Sequence, residues 1–254
     1  KSSSKAKHRN VLKFNGGLYY NPAKSDVRNL ITKGVKEIVT NYNVDGIHFD
    51  DYFYPNLGSK YRKNFDRTEY NSYVRNRKKN NRKYYGIVNW RRQNVDLLIS
   101  NVYKTVKSTK KKVQFGISPA GNIDNLYLSW SYYCDVKKWM NSNKYIDYIC
   151  PQIYWTFTNK TCPFKKTCLR WAKLPRNKNV KLYIGLAGYR AGLSKSQAKA
   201  VSDIGWSKSN TILKREVLYG RSTKKVSGYV LFSYADLSRK AASKEIANLK
   251  KIFK

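Results

Sequence analysis

The apolar positions of this chain switch repeatedly between a period of two and a helical period. Residues 44–55 read Val-Asp-Gly-Ile-His-Phe-Asp-Asp-Tyr-Phe-Tyr-Pro, and their first half alternates. Ile47 and Phe49 fall on one face of a strand, with Gly46, His48 and Asp50 on the other. The same alternation recurs in residues 113–118, where Val113, Phe115 and Ile117 oppose Gln114, Gly116 and Ser118. In residues 146–155, Ile149, Pro151 and Ile153 oppose Cys150, Gln152 and Tyr154. In residues 182–189, Leu182, Ile184 and Leu186 oppose Tyr183, Gly185, Ala187 and Tyr189; in residues 228–234, Val230 and Phe232 oppose Tyr229, Leu231 and Ser233. Five strands are predicted on this basis.

Helical spacing fills the intervals. Val27, Leu30, Ile31, Gly34, Val35, Ile38 and Val39 predict a helix over residues 25–40, opened by Asn21-Pro22 with Ser25 as another candidate cap. Val95, Leu98, Ile99, Val102 and Val106 form the stripe of a second helix that begins at Trp90, and Lys110-Lys111-Lys112 suits its C-terminal side. Shorter helices are expected over residues 135–143, 169–174 and 206–219, and an amphipathic one closes the chain over 241–253. Residues 56–88 are the least regular part. They read as a long loop with a short helix over 68–76, where basic residues interleave with Tyr61, Tyr70, Tyr73, Tyr84 and Tyr85. A solvated basic face accounts for most of those charges; lining a substrate site is open to a few.

Strands alternating with helices predict an α/β protein with a parallel sheet. There is no internal repeat and no dividing linker, so residues 1–254 are expected to form one domain, with residues 1–8 as a flexible basic lead. If the sheet is of the (β/α)8 TIM-barrel type, the large apolar faces pack outward on helices. Asp50, Ser118, Gln152, Tyr189 and Ser233 then point inward near the C-terminal strand ends, where such barrels do chemistry. Asp50 and Asp51 stand side by side at one strand tip, before a Tyr-rich loop. That placement suits a catalytic pair; a capped strand end with solvated acids is the other reading.

Composition changes the picture in one respect. With 52 Lys+Arg against 15 Asp+Glu the formal charge is +37, which argues for a polyanionic partner or surface. Nucleic acid is disfavoured, because no helix-turn-helix, RNA-recognition or zinc-finger pattern is present. Anionic wall polymers such as teichoic acids remain, and the 22 Tyr and 6 Trp supply stacking surfaces that suit sugar rings. No run of about 18 apolar residues exists, so no membrane span is expected. The two histidines, His8 and His48, lie far apart in sequence, and no metal or other cofactor is expected. Of the four cysteines, Cys162 and Cys168 bracket a short loop and could pair, whereas Cys150 reads as a buried thiol.

Several motifs stand in a particular order: Tyr20-Asn21-Pro22, residues 45–55, Asn89-Trp90-Arg91-Arg92, and residues 115–121, 146–155, 182–189 and 228–234. Together they resemble glycosyl hydrolase-like family ten, bacterial (β/α)8-barrel proteins that act on cell-wall glycan. The resemblance implies an incomplete barrel in this chain, with strands four to eight present; either an upstream segment or another chain supplies the first three, or the barrel is a trimmed one. It implies peptidoglycan or a related cell-wall glycan as substrate, and an extracellular or cell-wall location.

Glycosidases commonly use two carboxylates. Adjacent acids at one strand tip resemble some N-acetylhexosaminidase barrels, in which the substrate acetamido group is the internal nucleophile. On that scheme Asp50, ionised, orients the acetamido group, and Asp51 is the general acid/base. Tyr154 donates to the acetamido oxygen. Candidate substrate contacts are His48, Tyr52, Tyr54, Trp90, Arg91, Ser118, Asn122, Gln152, Trp155 and Tyr189. Purely structural roles stand beside some of these: a hydrogen bond to Asp50 for His48, ion pairs at a helix start for Arg91 and Arg92, rim packing for Trp155. Two other functions stay open. Asp50 could be a covalent nucleophile with an acid from Asp51, Asp236 or a missing segment, or the chain could be a non-catalytic binder of anionic polymers.

Overall fold

The computed structural model describes residues 9–253; the expected lead over residues 1–8 and His8 lie outside the described residues. Hydrogen bonding orders five strands in chain order, Gly46–Asp50, Gln114–Ser118, Tyr148–Ile149, Lys181–Leu186 and Gly228–Leu231, and helices lie between them in sequence. This is the expected α/β class, an incomplete (β/α) barrel. The chain divides into two compact units, residues 9–116 with 124–147, and residues 117–123 with 148–253.

The first unit opens with a hairpin that the hydrophobic pattern does not predict. Strands β1 (Val11–Phe14) and β2 (Gly17–Tyr20) pair antiparallel, with Val11 opposite Tyr20 and Phe14 opposite Gly17. The link is Asn15-Gly16, both at positive φ (45° and 79°), the two-residue turn whose twist matches the strands it joins. Asn21 then turns the chain. Its backbone N–H donates to the Asn10 carbonyl at 2.9 Å, and its Oδ1 accepts from the Ala23 N–H at 3.1 Å. Helix α1 (Ser25–Asn41) follows, with Lys24 at the cap position and the expected cap Ser25 as its first residue. Val27, Val35 and Val39 are its buried stripe.

Strand β3 (Gly46–Asp50) has its predicted bounds and phase: Ile47 is buried, His48 and Asp50 are exposed. Helix α2 (Arg67–Lys79) is longer than the expected short helix and buries none of its residues. Helix α3 (Ile87–Thr109) buries Ile87, Trp90, Val95, Leu98, Ile99, Val102 and Val106, at helical spacing, and packs along α1. Strand β4 (Gln114–Ser118) continues the ladder begun at β3, the Gln114 N–H donating to the Asp45 carbonyl at 2.9 Å. Two short helices, α4 (Ile123–Leu126) and α5 (Val136–Met140), complete this stretch. Asp135 caps α5 by accepting from the Lys138 N–H.

In the second unit β5 (Tyr148–Ile149) is much shorter than the predicted strand over 146–155. Pro151 has no N–H to give the ladder, and beyond it only Gln152 regains an isolated parallel bridge, to Gly185 and to Ala120. Strand β6 (Lys181–Leu186) pairs parallel to β5 on one side and β7 (Gly228–Leu231) on the other. The intervening helices are α6 (Phe164–Lys173), α7 (Lys195–Ala200) and α8 (Ile212–Ser222); α9 (Tyr234–Leu237) and α10 (Ser243–Lys250) end the chain. Helix α7 was not expected, although Ser194 and Gln197 form a complete capping box at its start. The expected helix over 206–219 splits into a 3-10 turn, Ile204–Ser207, and α8. The possible Cys162–Cys168 bridge does not form: all four cysteines are buried thiols. Burial pushes the Cys168 thiol up to about 12, and the charge of Glu216 acts in the same direction.

Helix α8 carries an acid inside its apolar stripe. Ile212, Leu213, Glu216, Val217 and Gly220 are all buried, and neither Glu216 carboxyl oxygen has a hydrogen-bond partner among the described residues. Glu245 of α10 is also buried, but its Oε1 accepts from the Leu213 N–H at 2.7 Å, satisfying an otherwise unpaired donor in the first turn of α8.

Candidate active site

In the first unit the tip of β3 separates two successive acids by burial. Asp50 is exposed, whereas Asp51 is 2% exposed. The chain turns at once, the Phe53 N–H donating to the Asp51 carbonyl at 2.8 Å. Tyr52 projects into solvent at 79% exposure. Its phenol is held above its ordinary pKa, first by what burial it has and then by the charges of Asp51 and Asp50. His48, two positions before Asp50 on the same strand face, has its pKa lowered by loss of water; the Asp50 charge pulls the other way.

Asp51 lines a cavity of about 400 Å3. Its walls come from β2 through Tyr19, from the loop after β3 through Tyr52, Tyr54 and Asn56, and from the segment between α4 and α5 through Trp130 and Tyr132. Tyr132 and Tyr133 both adopt left-handed backbone, φ 58° and 57°, which large side chains rarely do. A buried polar cluster braces this turn. Tyr133 Oη donates to the Ser129 carbonyl at 2.8 Å and accepts from Arg91 Nη1 at 2.9 Å. Arg91 in turn grips Asp66 through Nη2 at 2.5 Å and Nε at 2.9 Å, and Tyr54 Oη donates to Asp66 Oδ2 at 3.1 Å. Burial pushes the Asp66 carboxyl up and Arg91 opposes it. The two-pronged contact keeps the pair ionised, because each charge would otherwise stand alone without water.

These placements sort the expected contacts of this unit. Asp50, Tyr52 and His48 are exposed at the strand tip, and Asp51 lies in the cavity wall. The Arg91 side chain is fully buried, so its guanidinium is spent on Asp66, Tyr133 and the Asn64 carbonyl. Tyr54 is 6% exposed and belongs to the same cluster. Trp90 is 5% exposed, with the Tyr73 ring stacked at 5.9 Å and Tyr70 tilted at 5.3 Å. Trp130, Tyr132, Asn56, Asn125 and Tyr19 were not singled out from sequence. The run Trp130-Ser131-Tyr132-Tyr133 after a strand was the available signal.

In the second unit Ser118 is buried and its Oγ donates to the Cys150 carbonyl at 2.9 Å; Gln152 Nε2 donates to the Ser118 carbonyl at 3.0 Å. Tyr154, Trp155, Asn122 and Tyr189 are half-buried. Tyr154 meets the Tyr189 ring edge-on at 5.7 Å and stacks on Phe232 at 6.3 Å, and its carbonyl accepts from Arg190 Nη1 at 2.6 Å. Trp155 lies against Gly121, where a Cβ would come within 2.8 Å of the indole and 2.3 Å of the Gln152 carbonyl. Only glycine permits that approach. Ser233 and Asp236 form the capping box of α9, and Asp236 faces Arg239 at 3.3 Å. No cluster of ligating side chains fit for a metal occurs among the described residues, and no helix there is long and apolar enough to cross a membrane.

Known proteins resemble this chain along most of its length. The glycosyl hydrolase YngK of Bacillus subtilis (strain 168) is 31% identical over 250 residues, covering 90% of this chain and 44% of its own. The glycosyl hydrolase DigH of Escherichia coli (strain K12) is 30% identical over 261 residues, covering 95% of this chain and 55% of its own. The chain thus spans about half the length of the curated relatives it matches. Among solved structures, the glycoside hydrolase domain of PgaB (BpsB) from Bordetella bronchiseptica superposes with a TM-score of 0.50 at 11% identity. That match covers 94% of this chain and 68% of that one, a likeness of fold. Residues 4–203 match the family described as Glycosyl hydrolase-like 10, and the chain belongs to that family.

Proposed function

We propose that this chain carries the catalytic carboxylates of a glycoside hydrolase that cleaves N-acetylated glycan strands of the peptidoglycan type, outside the cell or in its wall. The observation that carries this reading is the pair Asp50–Asp51: successive acids at the tip of β3, one exposed and one walled into an aromatic cavity. A general acid must hold a proton before the reaction, and Asp51 is the acid of the pair that is shielded from solvent. The family and the names of its relatives support the reaction class.

The scheme is substrate-assisted. Asp51 gives its proton to the glycosidic oxygen as the C–O bond breaks. Asp50 holds the acetamido N–H, so that the acetamido oxygen attacks the anomeric carbon. The positive charge that develops on the ring being formed is offset by the Asp50 carboxylate. Water activated by Asp51 then opens the cyclic intermediate and restores the acid. Tyr52 supplies an aromatic face for a sugar ring; no metal or cofactor has a step in it.

Two substitutions separate the roles. Asp51→Asn is expected to abolish cleavage of glycan with its poor leaving group while sparing activated aryl glycosides. Asp50→Asn is expected to impair both, because the internal nucleophile loses its orientation. Equal loss on both substrates in Asp51→Asn would remove Asp51 as the acid. Trapping a glycosyl ester on Asp50 with a fluorosugar would replace this scheme by the covalent one.

The basic surface supports a second partner, anionic wall polymers. Helix α2 buries none of its residues yet carries Arg75, Arg77, Lys78 and Lys79, and it is seated through Tyr70 and Tyr73 on Trp90. Its charge is therefore turned to solvent, where it serves attachment and not chemistry.

A further inference from the structure

The cavity beside Asp51 lacks the basic side chains that the chain carries in excess. The chain carries +37, yet among the described residues no lysine or arginine lines this cavity, and Asp51 is the one acidic side chain in that lining. What lines it otherwise is aromatic or neutral and polar. Trp130 and Tyr52 are 37% and 79% exposed and offer flat faces to the C–H side of a pyranose. Asn56, Asn125 and the Tyr19 hydroxyl offer donors and acceptors to its edge. A volume of about 400 Å3 lies within the range of small-molecule sites, roughly 300–1,000 Å3.

We propose that this cavity is a specificity subsite for an uncharged pyranose, an acetamido hexose without a carboxylate. The inference rests on Asp51 being the acid, which puts the ring in the cavity next to the bond that is cut. A sugar bearing a carboxylate would leave that charge out of water with no cation among the described lining residues to pair it, and Asp51, which as the acid must keep its proton, supplies none. Rejection then comes from an unpaired charge more than from size. The wall is also set before any ligand arrives. The left-handed turn at Tyr132 and Tyr133 is braced by Arg91, itself locked to Asp66.

The test uses one oligosaccharide in two charge states: N-acetylchitotriose and the same trisaccharide oxidised at C6 to the carboxylate. Each is titrated calorimetrically into the protein at low temperature. The neutral sugar is expected to bind at least tenfold tighter than the oxidised one. Trp130→Ala, at a partly exposed position, should weaken neutral binding at least tenfold. Asn125→Arg should narrow or reverse the preference by supplying the missing cation. Equal affinity for both sugars in the wild type, or neutral binding unchanged by Trp130→Ala, would overturn the subsite. Glycan hydrolysis by Asp51→Asn is measured in parallel. Hydrolysis that survives that change would sink the acid assignment while leaving the measured sugar preference, so the two failures are distinguishable.

Discussion

Glu216 makes the stability of this protein fall as pH rises, and one substitution should cancel the effect. The carboxyl is fully buried in α8, with both oxygens unpartnered among the described residues. Its pKa lies well above the ordinary 4.5, first because of burial and then because of the charges of Glu245 and Asp203. The sign follows from where the proton sits. Below pH 4.5 folded and unfolded chains are both protonated at this site, and the stability is complete. Above it the unfolded chain ionises while the folded chain resists, so stability falls as pH rises, with a limiting slope of about 1.4 kcal/mol per pH unit. That slope is large beside the roughly 5–15 kcal/mol of a typical domain. Glu245, pushed up to about 7 by burial, costs the fold stability over its own window in the same direction. Glu216→Gln keeps the shape and removes the ionisation. Urea unfolding followed by tryptophan fluorescence at pH 4.5, 5.5 and 7 should show the variant equal to or about 1 kcal/mol below wild type at the lowest pH, for an amide that also lacks partners. The gap should then move in its favour as the pH rises, by no more than about 1.4 kcal/mol per pH unit. A difference that stays constant across the three pH values would refute the reasoning.

Two further outcomes follow from the charges of the first unit. Arg91→Met should cost about 3–5 kcal/mol of stability, because Asp66 would be left charged and without water. Arg91→Lys should recover only part of this, since an ammonium cannot make the two-pronged contact; urea midpoints measure both, and a loss below about 1 kcal/mol would show the pair to be dispensable. Attachment to whole cell walls should weaken steadily as salt rises, because the screening length falls from about 10 Å at 0.1 M to about 3 Å at 1 M. Retention unchanged in a sedimentation assay at 1 M salt would assign attachment to sugar recognition alone.

What the sequence made legible is what local periodicity carries. Strand β3 came out with its bounds and phase because alternation over five residues, ended by two acids, needs no distant partner to be read. Helices α1 and α3 were equally plain from their stripes. The hairpin of β1 and β2 was missed although Asn15-Gly16 announces it; four-residue strands give too short an alternation to stand out beside a polar lead. Strand β5 was overdrawn because alternation counts side chains, whereas the ladder counts N–H groups, and Pro151 lacks one.

The site divides along the same line. The acids sit on one strand and were found together; the cavity that distinguishes them was not. Its wall depends on Tyr132 and Tyr133 turning left-handed, and that turn depends on Arg91, some forty positions earlier in the chain, holding Tyr133 Oη. From sequence, Arg91 reads first as a structural ion pair at a helix start, with contact to a substrate carboxylate as the other reading. Its partner, Asp66, is 25 residues away in an irregular stretch, and no spacing rule connects the two. Buried polar groups are chosen by the partners the fold brings to them, so their roles are set by non-local contacts that a sequence pattern does not contain. Arg91 therefore serves the site without facing it: by fixing the turn that carries Trp130 and Tyr132, it shapes the space in front of Asp51.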